Sequence, residues 1–290
     1  MPAYNAGKFV IPSVKSMWKQ TYTNLELIIV DDGSSDDTWE KLKALKKESP
    51  IKMRIYRFRK NQGETAAANF AFTKSKGEYI ARMDADDVAK VTRIEKQMRH
   101  MEQYPRAVLV GAQANVINGR GKVIGTKHVP TDPEAIYTSF GFYQPLVHST
   151  IIFRRTLLPK RTNLYNNTYE LANDYHTFFE LLNYGEFHNL AEELVSYRVH
   201  NTNKSLSKLK EIFWQDVKIR ILATTRMGYK ASVLMFPVIA AQSALVSLFP
   251  EKILLEIFYF LRGLKKPHPR FHRFFLRLKA GTIKRYALSA

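Results

Sequence analysis

Leu25-Glu26-Leu27-Ile28-Ile29-Val30-Asp31-Asp32-Gly33 is the stretch that opens the fold to reading. A β-branched apolar run that stops at two carboxylates and a glycine reads as a buried strand ending in a turn. Trp39, Leu42 and Leu45 follow at helical spacing, with Ser34 or Ser35 expected as the N-cap. Ile51 to Phe58 predicts a second strand. The break Asn61-Gln62-Gly63 leads into a helix from Ala66 to Thr73. Tyr79 to Met83 predicts a third strand, stopped by Asp84-Ala85-Asp86-Asp87 and followed by a helix from Val91 to Tyr104. This alternation predicts an α/β fold with a mostly parallel, Rossmann-like sheet and helices on both faces. Such sheets bind ligands beyond the carboxyl ends of their strands, so Asp31/Asp32 and Asp84/Asp86/Asp87 are expected on one rim.

Further along the pattern loosens. Val108 to Ile117 with Asn118-Gly119 suggests strands and a hairpin, Thr150 to Phe153 another strand, and Tyr169 to Leu182 a helix. Long helices are expected after Ser207. Pro2-Ala3-Tyr4-Asn5 resembles the last turn of a strand without its apolar body, so a start upstream of Met1 is expected.

The chain has 290 residues, 45% of them apolar, enough to bury a substantial core. It has no cysteine, which removes disulfides, thiolate metal sites and cysteine nucleophiles together. Net charge is +19, of which +13 falls between Asn201 and Ala290. Lys265 to Ala290 carries 8 basic residues and no acid. A tail of this kind seeks a polyanion, either nucleic acid or anionic lipid. Met1 to Gln20 lacks a basic start followed by an apolar run, so no secretion signal is expected.

The sharpest chemical signal is Asp84-Ala85-Asp86-Asp87. Three carboxylates in four positions repel one another unless a cation neutralises them. Mn2+ or Mg2+ held by one or two carboxylates and diphosphate oxygens is one use. The other is an acidic turn, with Asp87 as N-cap of the helix behind it. Val30-Asp31-Asp32-Gly33 admits a similar choice between ligand contact and a plain turn.

Pro2-Ala3-Tyr4-Asn5, Val30 to Asp36, Asn61-Gln62-Gly63 and Asp84-Ala85-Asp86-Asp87, in this order and spacing, resemble glycosyltransferase family 2. Pro145-Leu146-Val147-His148-Ser149-Thr150, Ala172-Asn173-Asp174-Tyr175 and Ser196-Tyr197-Arg198-Val199-His200 extend the likeness to about residue 207. The resemblance implies a GT-A fold and inverting transfer of a sugar from a nucleotide-diphosphate donor, UDP expected, to a glycan or lipid-linked acceptor of the cell envelope. It implies that Pro2, Tyr4, Asp32, Asn61, Gly63, Asp84, Ala85 and Asp86 bind the nucleotide-sugar, with Asp32 reaching the base and Asp84 near the ribose. Asp86 would bind the metal, with His200 close to it, and Asp174 would be the general base. His148 and Asn173 are expected on the acceptor side. Two positions depart from the family pattern: Ala68 stands where Arg often precedes Asn69, and Asn173 replaces the usual Glu.

A catalytic domain over 1–207 and a helical, basic, membrane-associating region over 208–290 are expected. Ala231 to Phe249 runs 19 residues without a charge but is interrupted by Pro237. With Ile253 to Leu264 and the mixed Arg/Phe tail it suits an interfacial helix, while packing on the catalytic domain and membrane spanning stay open. An anionic membrane surface is therefore the expected partner and nucleic acid is not. The expected location is cytoplasmic and peripheral, at the inner face of the cell membrane. The rivals are a polyprenyl-phosphate sugar synthase of the same family, an inactive relative, and a non-catalytic basic polyanion-binding protein.

Overall fold

The computed structural model describes residues 1–160, 162–166, 168–169, 171–200 and 208–261. Nine strands lie within them: β1 (Pro2–Ala3), β2 (Glu26–Asp31), β3 (Lys52–Arg57), β4 (Tyr79–Ala81), β5 (Val88–Ala89), β6 (Ala107–Asn118), β7 (Val123–Lys127), β8 (Ile152–Arg154) and β9 (Glu186–Val199). The helices are α1 (Val10–Trp18), α2 (Thr38–Glu48), α3 (Glu64–Lys74), α4 (Arg93–Gln103), α5 (Pro133–Ser139), α6 (Asn173–Leu181), α7 (Leu209–Arg226), α8 (Met235–Leu248) and α9 (Glu251–Leu261).

The α/β reading holds, and the pairing refines it. Strands β1-β2-β3 form one all-parallel sheet, while β4-β8-β6-β9-β5, with β7 beside β6, form a mixed one. The long β6–β9 ladder is parallel, but β8 and β7 pair antiparallel with β6. The hairpin at Asn118-Gly119 forms as expected, closed by the Lys122 carbonyl accepting from the Asn118 amide at 2.9 Å. Asn118 Oδ1 also accepts the amides of Arg120 and Lys122.

Two expected helix caps are not used. No side chain caps α2 at its N-cap residue, Asp37. The Ser34 hydroxyl instead bonds Asp31 and accepts the Asn5 amide, so a nearer carboxylate takes it before the helix can. Asp87 likewise does not cap α4, because β5 intervenes and Thr92 occupies the N-cap position. Its carboxylate accepts the Arg198 amide at 2.7 Å.

Burial follows the apolar pattern. One cluster joins Val14, Leu27, Ile29, Leu42 and Met98 around the parallel sheet, and another gathers Phe140, Phe153, Tyr175, Phe178 and Phe187. Ile219 and Ala223 of α7, with Met235 of α8, belong to this second cluster, so the C-terminal helices pack on the α/β core. A cavity of about 470 Å³ lies between β2 and β4, lined by Met1, Leu27, Ile28, Phe72, Ile80 and Met83 among others. The Met1 ammonium donates to the Ile28 carbonyl at 3.0 Å, and burial pulls its pKa down to about 5.

Among the described residues no helix is long and apolar enough to cross a membrane. The 14 residues of α8 reach only about 21 Å at 1.5 Å per residue, short of a hydrocarbon core of about 30 Å. The Arg/Phe tail expected to form an interfacial helix lies outside the described residues.

Candidate active site

The rim begins where β2 ends. Asp31 is fully buried, its charge met by Arg57 at 3.0 Å and by the Ser34 hydroxyl. Asp32 accepts the amide of Gln62 at 2.7 Å through one oxygen and that of Gly63 at 2.9 Å through the other. The carboxylate at the strand end thus fixes the turn that starts α3. Gly63 sits at φ +94°, a conformation that disfavours side chains and so explains the glycine. Pro2 is buried in β1 opposite Val30, Tyr4 stands half-exposed at the rim, and Asn61 is exposed. Asn5 stitches the first loop to the second by accepting the Ser35 amide at 3.0 Å.

The acidic motif after β4 is held by two buried arginines. Arg82 reaches Asp84 at 2.6 Å and Glu64 at 2.5 Å. Burial opposes its charge, but these two carboxylates more than offset that and raise its pKa. Arg198 donates its amide to Asp87 and its Nε to the Asp86 carbonyl at 2.7 Å, so the end of β9 fixes the loop from behind. Asp87 is wholly buried, and burial, then the charges of Asp86 and Asp84, push its carboxyl well above the usual range. Ala85 is buried in the apolar cluster behind the loop.

Asp86 and His200 meet at the surface of this loop, Oδ2 to Nε2 at 2.9 Å. Phe9 stacks on the imidazole with centroids 4.9 Å apart, and Arg198 lies over the other ring of that stack. The structure therefore brings together two residues 114 positions apart in sequence. Among the described residues no group of three or more His, Asp or Glu side chains forms a metal cage. The pair offers one carboxylate and one imidazole. That donor set fits a divalent cation whose other ligands come from a diphosphate.

Asp174 lies in the first turn of α6. Gln144 donates to its Oδ2 at 2.9 Å, and the His148 Nδ1 stands 3.6 Å from the same oxygen. On its other side His148 meets the Tyr165 hydroxyl at 2.7 Å. Burial, then the charge of Arg82, lowers the His148 pKa to about 4, so the imidazole is neutral at physiological pH. His148 feels the charges of both Asp174 and Asp84, which ties the two ends of the rim to one electrostatic environment.

A second link is mechanical. Asn173, expected on the acceptor side, donates to the Thr65 hydroxyl in the first turn of α3. Asn69 of the same helix clamps the backbone of Tyr165, accepting its amide at 2.8 Å and donating to its carbonyl at 2.9 Å. Ala68, at the position where the family often has Arg, is buried in the apolar core. Gln144 and Tyr165 carry no sequence signal. A neutral amide and a tyrosine in irregular chain look like any others until the fold sets them beside Asp174.

The model of glycosyl transferase family 2 matches residues 1–178. The UDP-Glc:alpha-D-GlcNAc-diphosphoundecaprenol beta-1,3-glucosyltransferase WfaP of Escherichia coli is 32% identical over 217 residues, 74% of this chain and 81% of that protein. The chain spans 65% of the length of another curated relative and 27%, 21% and 14% of three more. Among solved structures, TarS of S. aureus in complex with UDP-GlcNAc is similar with a TM-score of 0.64 and 17% identity, covering 83% of this chain and 69% of that one. Mannosyltransferase PcManGT from Pyrobaculum calidifontis, in complex with GDP-Man and Mn2+, has a TM-score of 0.57 at 15% identity and covers 100% of this chain and 86% of its own. These two likenesses concern the fold. The chain belongs to glycosyl transferase family 2, and is a glycosyltransferase by that membership.

Proposed function

We propose that this chain transfers a sugar, with inversion, from a UDP-sugar to a hydroxyl of a lipid-linked saccharide in cell-envelope glycan synthesis. The observation that carries this reading is the pairing of an Asp86–His200 site with a separately held Asp174, whose neighbour His148 also feels the charge of Asp84, two residues before Asp86. The donor class is supported by WfaP, named for UDP-Glc, and by the UDP-GlcNAc complex of TarS. WfaP's name also supports a diphospholipid-linked acceptor.

In this mechanism Gln144 orients the Asp174 carboxylate, which takes the proton of the acceptor hydroxyl as its oxygen attacks the anomeric carbon. Neutral His148 puts no positive charge beside the Asp174 carboxylate. Asp86 and His200 would hold a divalent cation, Mn2+ suiting the imidazole better than Mg2+. Bound there, such an ion offsets the charge of the leaving diphosphate. A single displacement without a covalent intermediate inverts the anomeric carbon.

The C-terminal helices suit work at an anionic bilayer. Val233 and Leu248 are 84% and 77% exposed, and no charge lies between Ala231 and Phe249. The +13 net charge after residue 200 supplies attraction of about 1 kcal/mol per basic residue near the surface. We place the protein at the inner face of the cell membrane on these grounds. The polyanion-binding alternative is disfavoured at the rim itself, whose carboxylates repel a phosphate backbone.

The test is transfer from UDP-Glc to a synthetic α-GlcNAc-diphosphate lipid in the presence of Mn2+. Asp174→Asn should lower kcat by about 10³-fold or more while the UDP-dependent rise in Tm persists. Loss of that rise along with transfer would make Asp174 structural and sink the assignment.

A further inference from the structure

Helix α7 lies outside the matched family segment, yet it packs beside the base. Two anchors set its register on α6 and the turn before it. Gln215 accepts the Leu171 amide at 3.3 Å, and Arg220 donates through Nε to the Tyr175 hydroxyl at 3.2 Å, one residue after Asp174. Asp216 lies between these anchors in sequence, close enough for the charge of Asp174 to act on it.

The Asp216 side chain keeps some solvent contact but is closely surrounded by protein. Burial pushes its carboxyl up to about 7; Arg220 opposes the rise and Asp174 adds to it. Among the described residues no hydrogen bond or ion pair takes up either oxygen. Arg220 is engaged elsewhere, with Tyr175 and with Gln242 at 3.1 Å. A carboxyl that no protein donor engages and that solvent still reaches is open to donors that a ligand brings.

We propose that Asp216 is an acceptor-binding residue, accepting a hydrogen bond from a second hydroxyl of the acceptor sugar beside the one that Asp174 deprotonates. This rests on Asp174 being the base. Sugar hydroxyls suit the position because they are neutral donors arranged side by side on a ring. A phosphate would be repelled by two carboxyl groups, so the group recognised here is the sugar ring and not the diphosphate. The C-terminal helix thereby sets acceptor choice, separately from the donor machinery in the family segment.

The experiment uses the full chain, UDP-Glc and the same synthetic α-GlcNAc-diphosphate lipid. Asp216→Ala should raise acceptor KM by about tenfold or more, since a lost hydrogen bond to a charged or buried partner is worth that much. The UDP-dependent Tm shift should stay as in the wild type. Asp216→Asn, which keeps one oxygen acceptor, should recover part of the loss. An acceptor lacking the hydroxyl adjacent to the glycosylated one should be poor for the wild type and no worse for Asp216→Ala. An unchanged acceptor KM in Asp216→Ala overturns the proposal. Loss of the donor Tm shift in both variants marks a structural role and overturns it too. Failure of the wild type to transfer overturns the proposed function and this inference together.

Discussion

The two sides of the rim are built differently. On the donor side the carboxylates meet protein donors: Asp31 has Arg57, Asp32 has two amides, Asp84 has Arg82 and one oxygen of Asp87 has the Arg198 amide. On the acceptor side, Asp174 is met by a neutral amide and a neutral imidazole, and Asp216 by no hydrogen bond among the described residues. The donor half thus pairs Asp31 and Asp84 with arginines, whereas no arginine or lysine pairs with Asp174 among the described residues. On the proposed reading, a site that binds a fixed nucleotide gains from preorganisation. One that must take a proton and read a variable hydroxyl pattern needs bare oxygens.

Breaking the donor half at its cation pair should give the largest effect. Asp86→Ala should cost about 10²- to 10³-fold in kcat/KM, read as transfer rate against Mn2+ concentration. Wild-type rates in that variant would mean that the two sides do not divide the work in this way.

Next comes the scaffold beneath Asp32. Gly33 has φ +70°, and a Cβ there would stand 2.6 Å from the Lys60 carbonyl carbon. Gly33→Ala should destabilise by about 3 kcal/mol in urea unfolding, with weaker UDP binding as the Gln62 and Gly63 amides shift off Asp32. A silent Gly33→Ala would show the donor half to be less rigid than its hydrogen bonds suggest.

The smallest effect tests the opposite character of the acceptor half. The folded-state carboxyl of Asp216 is raised from 3.8 to about 7. As pH climbs through this window the unfolded chain loses the proton first, so stability falls. Asp216→Asn removes the titration and should be more stable than the wild type by roughly 1–2 kcal/mol at pH 8, with the gain vanishing below about pH 4. Chemical denaturation across pH reads this directly. A variant that is less stable at pH 8 would show that the charge is compensated after all.

The sequence disclosed the donor half far better than the acceptor half, for a physical reason. Strand ends that carry carboxylates announce themselves through an unbroken apolar run such as Leu27 to Val30. The parallel ladder of β2 with β3 follows from that run. The serine caps misled because a hydroxyl has several possible partners, and only the fold shows that Asp31 and Asn5 stand nearer than the helix. Strand β9 is hard to read from end to end because its pairing with β6 shifts register around Leu190 to Val195, where Glu192 and Glu193 interrupt the alternation. Asp174 is legible only through the family motif, since a lone aspartate at a helix start has an ordinary structural reading. Gln144, Tyr165 and Asp216 come from separate loops and a distant helix, and only tertiary packing sets them together.

The turn into α3 is fastened at every residue from Gln62 to Thr65. Gln62 and Gly63 are tied to Asp32, Glu64 to Arg82, and Thr65 to Asn173 beside the base. Four successive residues therefore fasten three distant parts of the chain to one short stretch of backbone. No part of that stretch can relax alone. On the proposed reading, a nucleotide that stiffens it at Asp32 would also steady the floor under Asp174, so the seat for the incoming alcohol would be set by the guest that arrived before it.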